Sequence, residues 1–169
     1  FQSINSTIID SIVSENLRGP NNEWVGIAKR SRVIYYNPVN VSAKEMEGLT
    51  YEDLSDSKWK GRIAIRSSGN MYNQSLVSSL VANHGVDATE KWAKGFVANF
   101  ARKPEGNDRA QIMAVANGEA DIAVANSYYI GLMLSGKKGE EQQAAARKVE
   151  LHFPGQDGRG AHINVSGAG

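Results

Sequence analysis

Apolar residues recur along this chain at two spacings, one near 3.6 and one near 2, and their succession sets out its elements. Ile8, Ile9, Ile12 and Val13 share a helical face within residues 3–17, and Arg18-Gly19-Pro20-Asn21-Asn22 breaks it. Two strand-like runs follow at residues 24–28 and 32–36, the second rich in β-branched and aromatic residues and stopped by Asn37-Pro38. After a polar stretch, residues 62–66 read as a short strand. Helical spacing then dominates. Leu76, Val77, Leu80 and Val81 mark one face of residues 70–83, and Gly85 stands where that helix would end. Asp87 starts another helix, with Glu90 as its capping-box partner and Ala88, Trp92 and Phe96 along one stripe. Asn107 or Asp108 caps a third, which carries Ile112, Met113 and Ala116 and ends at Asn117-Gly118. Residues 120–125 have the continuous apolar character of a buried strand, and Ser127 opens a helix that ends near Ser135-Gly136. A short alanine-rich helix at 140–147, a strand at 149–153 and a last strand at 163–165 complete the chain. Strands alternating with helices of about 10–15 residues predict a layered α/β architecture with a substantially parallel sheet. Ligands of such sheets sit beyond the carboxyl ends of the strands, which selects the loops after Ile65 and Val124.

The first loop reads Arg66-Ser67-Ser68-Gly69-Asn70-Met71-Tyr72-Asn73, with hydroxyls, a glycine and an amide just before a helix. Free backbone N–H groups and the positive end of the helix dipole favour an anion there, while Ser68 or Asn70 acting as a plain cap explains the same residues. The second loop reads Ala125-Asn126-Ser127-Tyr128-Tyr129-Ile130. Adjacent tyrosines on a helix stand about 100° apart, so that one packs inward and the other reaches the cleft; at a non-helical entrance both phenols converge. Paired phenols suit a hard, highly charged cation. Fe(III) fits because its charge deprotonates a phenol well below the free value of about 10. Two packing aromatics with their hydroxyls at the rim are the structural alternative.

Other residues carry weaker signals. His84, His152 and His162 are scattered without metal-ligand spacing, which suits solvent-facing or locally hydrogen-bonded roles. Lys29-Arg30-Ser31-Arg32 is a short basic run, a solvated face by default, in which an arginine near the cleft would suit carbonate or another anion. Tyr35-Tyr36 lies inside a strand, one ring to each side, and reads as sheet packing. The chain contains no nucleophile elbow, P-loop, dinucleotide fingerprint or carboxylate motif with metal spacing.

Composition narrows the classes. The 169 residues (18.3 kDa) fit one domain or one large lobe, and 41% hydrophobic residues suffice for a sizeable core. Nineteen Lys and Arg against 18 Asp and Glu leave a net charge of +1, which offers no support for a nucleic-acid or anionic-membrane surface. With no cysteine, a disulfide framework, a Cys-ligated zinc or iron–sulfur site and a thiol nucleophile are excluded. No apolar run approaches the roughly 18 residues of a membrane span, so this segment predicts no direct insertion. The chain opens at Phe1, not Met, and ends at Gly169 within an apolar, glycine-rich stretch, which reads as an interior piece of a longer sequence. Missing targeting signals therefore say nothing of location.

The strings Trp24 through Asn37, Trp59-Lys60-Gly61-Arg62-Ile63, Arg66 through Leu76, Gly118 through Tyr129, and Phe153-Pro154 through Ser166-Gly167-Ala168-Gly169 together resemble the periplasmic ferric-iron-binding proteins of bacterial ABC importers. Asn126-Ser127-Tyr128-Tyr129 with Ser67-Ser68-Gly69-Asn70-Met71-Tyr72-Asn73-Gln74 is specific for the iron-binding branch; the strand-loop strings alone fit many solute-binding proteins. The resemblance implies a periplasmic-binding-protein type II fold, with Tyr128 and Tyr129 as paired phenolate ligands and Tyr72 as the third tyrosine of the all-tyrosine members. It implies that Ser67, Ser68, Asn70 and Asn126 hold or neighbour an anion such as carbonate or phosphate, and that Arg30 or Arg32 lies behind the ligands. Residues 1–32 would belong to the first lobe and a hinge crossing, 33–158 to the second lobe, and 159–169 to the return crossing. A further ligand would come from the first lobe. The expected protein is a monomeric binding protein of the periplasm, or a cell-surface lipoprotein in a Gram-positive bacterium, that delivers Fe(III) to an inner-membrane permease. The rival readings are a protein of the same fold for a phosphonate, sulfate or thiamine-like solute, and a hydrolase using Ser68 or Ser127 with a histidine.

Overall fold

The segment Ile122–Asn126 is buried at all five positions because apolar layers cover both of its faces. Ile122 and Val124 join one cluster with Ile34, Tyr36, Ile63, Leu76, Leu80, Trp92 and Phe96. Ala123 and Ala125 join the other with Val33, Tyr35, Ala64, Ile112, Val115 and Met133. The two-residue period of an extended chain thus sorts bulky side chains to one face and small ones to the other.

The computed structural model describes residues 2–169. In chain order its regular elements are α1 (Thr7–Ile12), β1 (Val25–Tyr36), α2 (Ala43–Met46), β2 (Ile63–Ala64), α3 (Met71–His84), α4 (Val86–Ala98), α5 (Asp108–Ala116), β3 (Ile122–Asn126), α6 (Tyr128–Leu134), α7 (Glu140–Ala146), β4 (Glu150–His152) and β5 (Ile163–Ala168). They form two compact units. One comprises the chain up to Arg30 together with Ile163–Gly169, and contains α1, the start of β1 and β5, with Gly167 packed against Trp24. The other is Ser31–His162. In it α3 and α4 cover one face of the sheet, while α5, α6 and α7 cover the other.

The sheet order is β2-β3-β1-β4, with β5 pairing β1. Its direction corrects the expectation of a substantially parallel sheet. β2 and β3 are parallel, joined through α3, α4 and α5, but β1 lies antiparallel to both β3 and β4. Helical crossovers make β2, β3 and β4 run the same way, and β1 enters between two of them in reverse. A second correction concerns β1 itself. The two runs at 24–28 and 32–36 are one strand, whose residues pass from exposed at Ile27–Lys29 to buried from Arg32 onward. The polar interlude marks a change of surroundings, and it holds no Gly or Pro that would break the backbone.

Side-chain caps start four of the seven α-helices among the described residues, α1, α2, α3 and α5. Asn70 and Asn107 accept backbone N–H groups of Tyr72 and Ala110, each at 3.2 Å. Between α3 and α4 a single Gly85, at φ 82°, ends one helix and starts the next, so α4 begins at Val86 and no Asp87–Glu90 capping box forms. A capping box forms instead at Ser42 and Glu45, in the stretch that reads only as polar. There, irregularly spaced Val41, Met46, Leu49, Leu54 and Trp59 are all buried. Among the described residues no helix is long and apolar enough to cross a membrane.

Candidate metal centre

The chain leaves β3 at Asn126, turns at Ser127 and enters α6 with Tyr128 and Tyr129 as its first two residues. Four bonds fix this turn. The Asn126 N–H donates to Asp108 Oδ2 at 2.8 Å and the Ser127 N–H to the Ser31 carbonyl at 2.8 Å. The buried Tyr35 hydroxyl donates to the carbonyls of Asn126 and Ser127 at 3.0 and 3.3 Å. Tyr35 is therefore more than sheet packing: its phenol braces the turn that presents the tyrosine pair.

The two rings of that pair lie against each other, with centroids 4.2 Å apart and planes inclined at 31°. Tyr129 packs partly on the apolar cluster that includes Met133, whereas Tyr128 remains 42% exposed. Partial burial and the adjoining Tyr129 hydroxyl push the Tyr128 phenol up to about 12. The Asn126 side chain acts in the opposite sense and favours the ionised phenol. Tyr128 is therefore protonated at neutral pH without a cation, and a strong cation would have to displace its proton.

Tyr72 is the second residue of α3 and half-buried. The loop before it is tightly self-bonded: the Ser67 hydroxyl accepts the Gly69 N–H at 3.2 Å, and the Asn73 amide donates to the carbonyls of Arg66 and Ser67 at 2.9 and 3.2 Å. Asn70 is the helix cap, and Ser68 is exposed on the turn.

One buried arginine connects these two loops. The Arg32 side chain is fully buried; Nη1 donates to Asp108 Oδ2 at 2.7 Å and Asn126 Oδ1 at 3.2 Å, and Nη2 donates to Asn73 Oδ1 and the Val124 carbonyl. Asn73 adjoins Tyr72, and Asn126 lies two residues before Tyr128. Burial works against the Arg32 charge and Asp108 offsets it. The backbone of Arg32 is also held, since Tyr51 donates to its carbonyl at 2.6 Å and accepts the His162 N–H at 2.9 Å. Arg30 belongs to the other unit, where it bonds Ser166.

Asp108 and Tyr51 carry this frame together with Asn73 and have no signature of their own in the sequence; Asp108 reads there only as a possible helix cap. The histidines are locally engaged, His84 with Glu52, His152 with the Leu49 carbonyl and His162 with the Ser75 hydroxyl. Among the described residues no three His, Asp or Glu side chains gather as a metal site.

Residues 1–158 match the family of bacterial extracellular solute-binding proteins. The chain belongs to that family. Members of that family bind solutes for transport and are not enzymes. It is 54% identical to iron uptake protein A1 of Synechocystis over the whole chain and 46% of that protein, and 32% identical to the Fe(3+)-binding periplasmic protein of Serratia marcescens over 93% of the chain and 44% of that protein. A Trichodesmium IdiA (FutA) structure, in complex with iron and citrate ligands, superposes on 98% of this chain and 52% of its own with a TM-score of 0.91 and 54% identity. The chain spans about half the length of the curated relatives it matches.

Proposed function

We propose that this solute-binding chain provides phenolate ligands for ferric iron and serves as part of the binding component of an iron(III) ABC importer. Tyr128, Tyr129 and Tyr72 bind the cation; three phenolates balance three positive charges without any carboxylate. Asn126 and the Ser67–Asn70 turn border the remaining positions, which take a small anion such as carbonate, phosphate or citrate, water, or a donor from outside this chain. The crossings near residues 28–34 and 158–164 act as the hinge, and the closed, monomeric protein hands its iron from the periplasm to an inner-membrane permease. Iron-uptake and ferric-binding relatives support this reading. The observation that carries it is the closely packed tyrosine pair, set on a turn whose buried arginine also grips the residue beside Tyr72.

Ferric titration of the complete protein tests it. A visible phenolate-to-iron charge-transfer band is expected, lost when Tyr128→Phe and Tyr129→Phe are combined. Because the phenols give up protons on binding, affinity should also fall as pH falls, by about tenfold per pH unit for each proton displaced. A double variant that keeps its colour and affinity, or nanomolar binding of sulfate or a phosphonate without metal, would contradict the assignment.

A further inference from the structure

Asp108 is a carboxylate at the centre of the tyrosine frame, and its two oxygens reach two strands and a loop. Oδ2 accepts from Arg32 Nη1 on β1 at 2.7 Å and from the Asn126 N–H at the end of β3 at 2.8 Å; Oδ1 accepts from Arg66 Nη1, in the loop leading to α3, at 3.3 Å. Its side chain is fully buried, as is that of Arg32, while Arg66 is 21% exposed. Both loops that carry the tyrosines are thus tied to one residue. Asp108 holds the Tyr128–Tyr129 turn directly through Asn126, and the Tyr72 turn through Arg66 and through Arg32 to Asn73.

We propose that Asp108 is a positioning residue for the iron site, fixing the spacing between the tyrosine pair and Tyr72; this rests on the ferric reading above. A carboxylate is needed because three donors, two of them cationic, converge on it. An amide presents a single acceptor oxygen, turns an N–H₂ group toward a donor, and leaves two guanidinium groups with no anion between them. The arginines would then move apart and carry the two loops with them. A hard cation held by three anionic oxygens tolerates such movement poorly, because its ligands must all reach it at once.

The test compares Asp108→Asn, Asp108→Glu and Asn99→Ala in the complete protein, by ferric titration against citrate with the charge-transfer spectrum recorded. Asn99 is a buried control whose amide donates to the Leu54 and Asp56 carbonyls, away from this frame. Asp108→Asn is expected to lose about tenfold or more in iron affinity, with a shifted or broadened band. Asp108→Glu keeps the charge and should recover part of the affinity, still with a shifted band, whereas Asn99→Ala should lower the melting temperature and leave the band unaltered. Wild-type affinity and an unaltered band in folded Asp108→Asn overturn the positioning role alone. If Asp108→Asn does not fold, an unaltered band and affinity in Asp108→Glu overturn it instead. A wild-type protein that shows no band overturns both this proposal and the ferric reading.

Discussion

Arg30 and Arg32 are two residues apart and equal in charge, yet they occupy opposite electrostatic situations. Arg32 has no solvent contact and lies among Asp108, Asn126, Asn73 and a carbonyl, whereas Arg30 is half-buried and bonds a serine hydroxyl. Removing one partner of a buried ion pair strands the other, at a cost of about 3–5 kcal/mol; losing a partly exposed cation costs about 1 kcal/mol or less. Denaturant unfolding should therefore separate Arg32→Met from Arg30→Met by at least about 2 kcal/mol. Equal midpoints would mean that the buried cluster contributes nothing. The sequence leaves these two arginines undistinguished, because a two-residue offset in a strand keeps both on the same side and only tertiary surroundings separate them. Tyr128-Tyr129 was legible as an unusual adjacent pair. Asp108 was not, since its partners lie 18, 42 and 76 residues away and no local spacing marks them.

Helix ends were readable where a single residue decides them. Asn107 caps α5 through its own side chain, and α5 in turn presents Asp108 as its first residue. Asn107→Ala should cost about 1 kcal/mol, read as a fall of about 2–4 °C in melting temperature. An unchanged melt would show that neighbouring contacts, and not the cap, set the start of α5. Strand properties were less legible. The continuity of β1 through Lys29-Arg30-Ser31 and its antiparallel direction depend on which strands it meets, and that information lies in β3 and β4. The small helix α2 and the turns around Leu54 and Trp59 were hidden for a related reason: their buried residues follow no helical or strand period. Its position after an apolar face marks Gly85 as a helix stop, and its service as the start of α4 follows from a positive φ that periodicity does not report.

A mixed sheet clad on both faces and a polar frame at the carboxyl end of β3 accord with membership of a solute-binding family. The layered α/β class and the loops that bear the tyrosines were both accessible from periodicity and strand ends. The frame that orients those loops was not, being assembled from β1, the β2–α3 loop, α5 and β3 only when the chain folds. The proposed ferric binding therefore requires one geometrical event: phenolic oxygens from two separate turns reaching a single ferric ion. Diffraction from crystals of the complete protein loaded with Fe(III), recorded at the iron absorption edge, measures it directly. The expected anomalous peak lies within about 2.5 Å of the hydroxyl oxygens of Tyr72, Tyr128 and Tyr129. A peak bound elsewhere, with those three hydroxyls apart and protonated, would contradict the account.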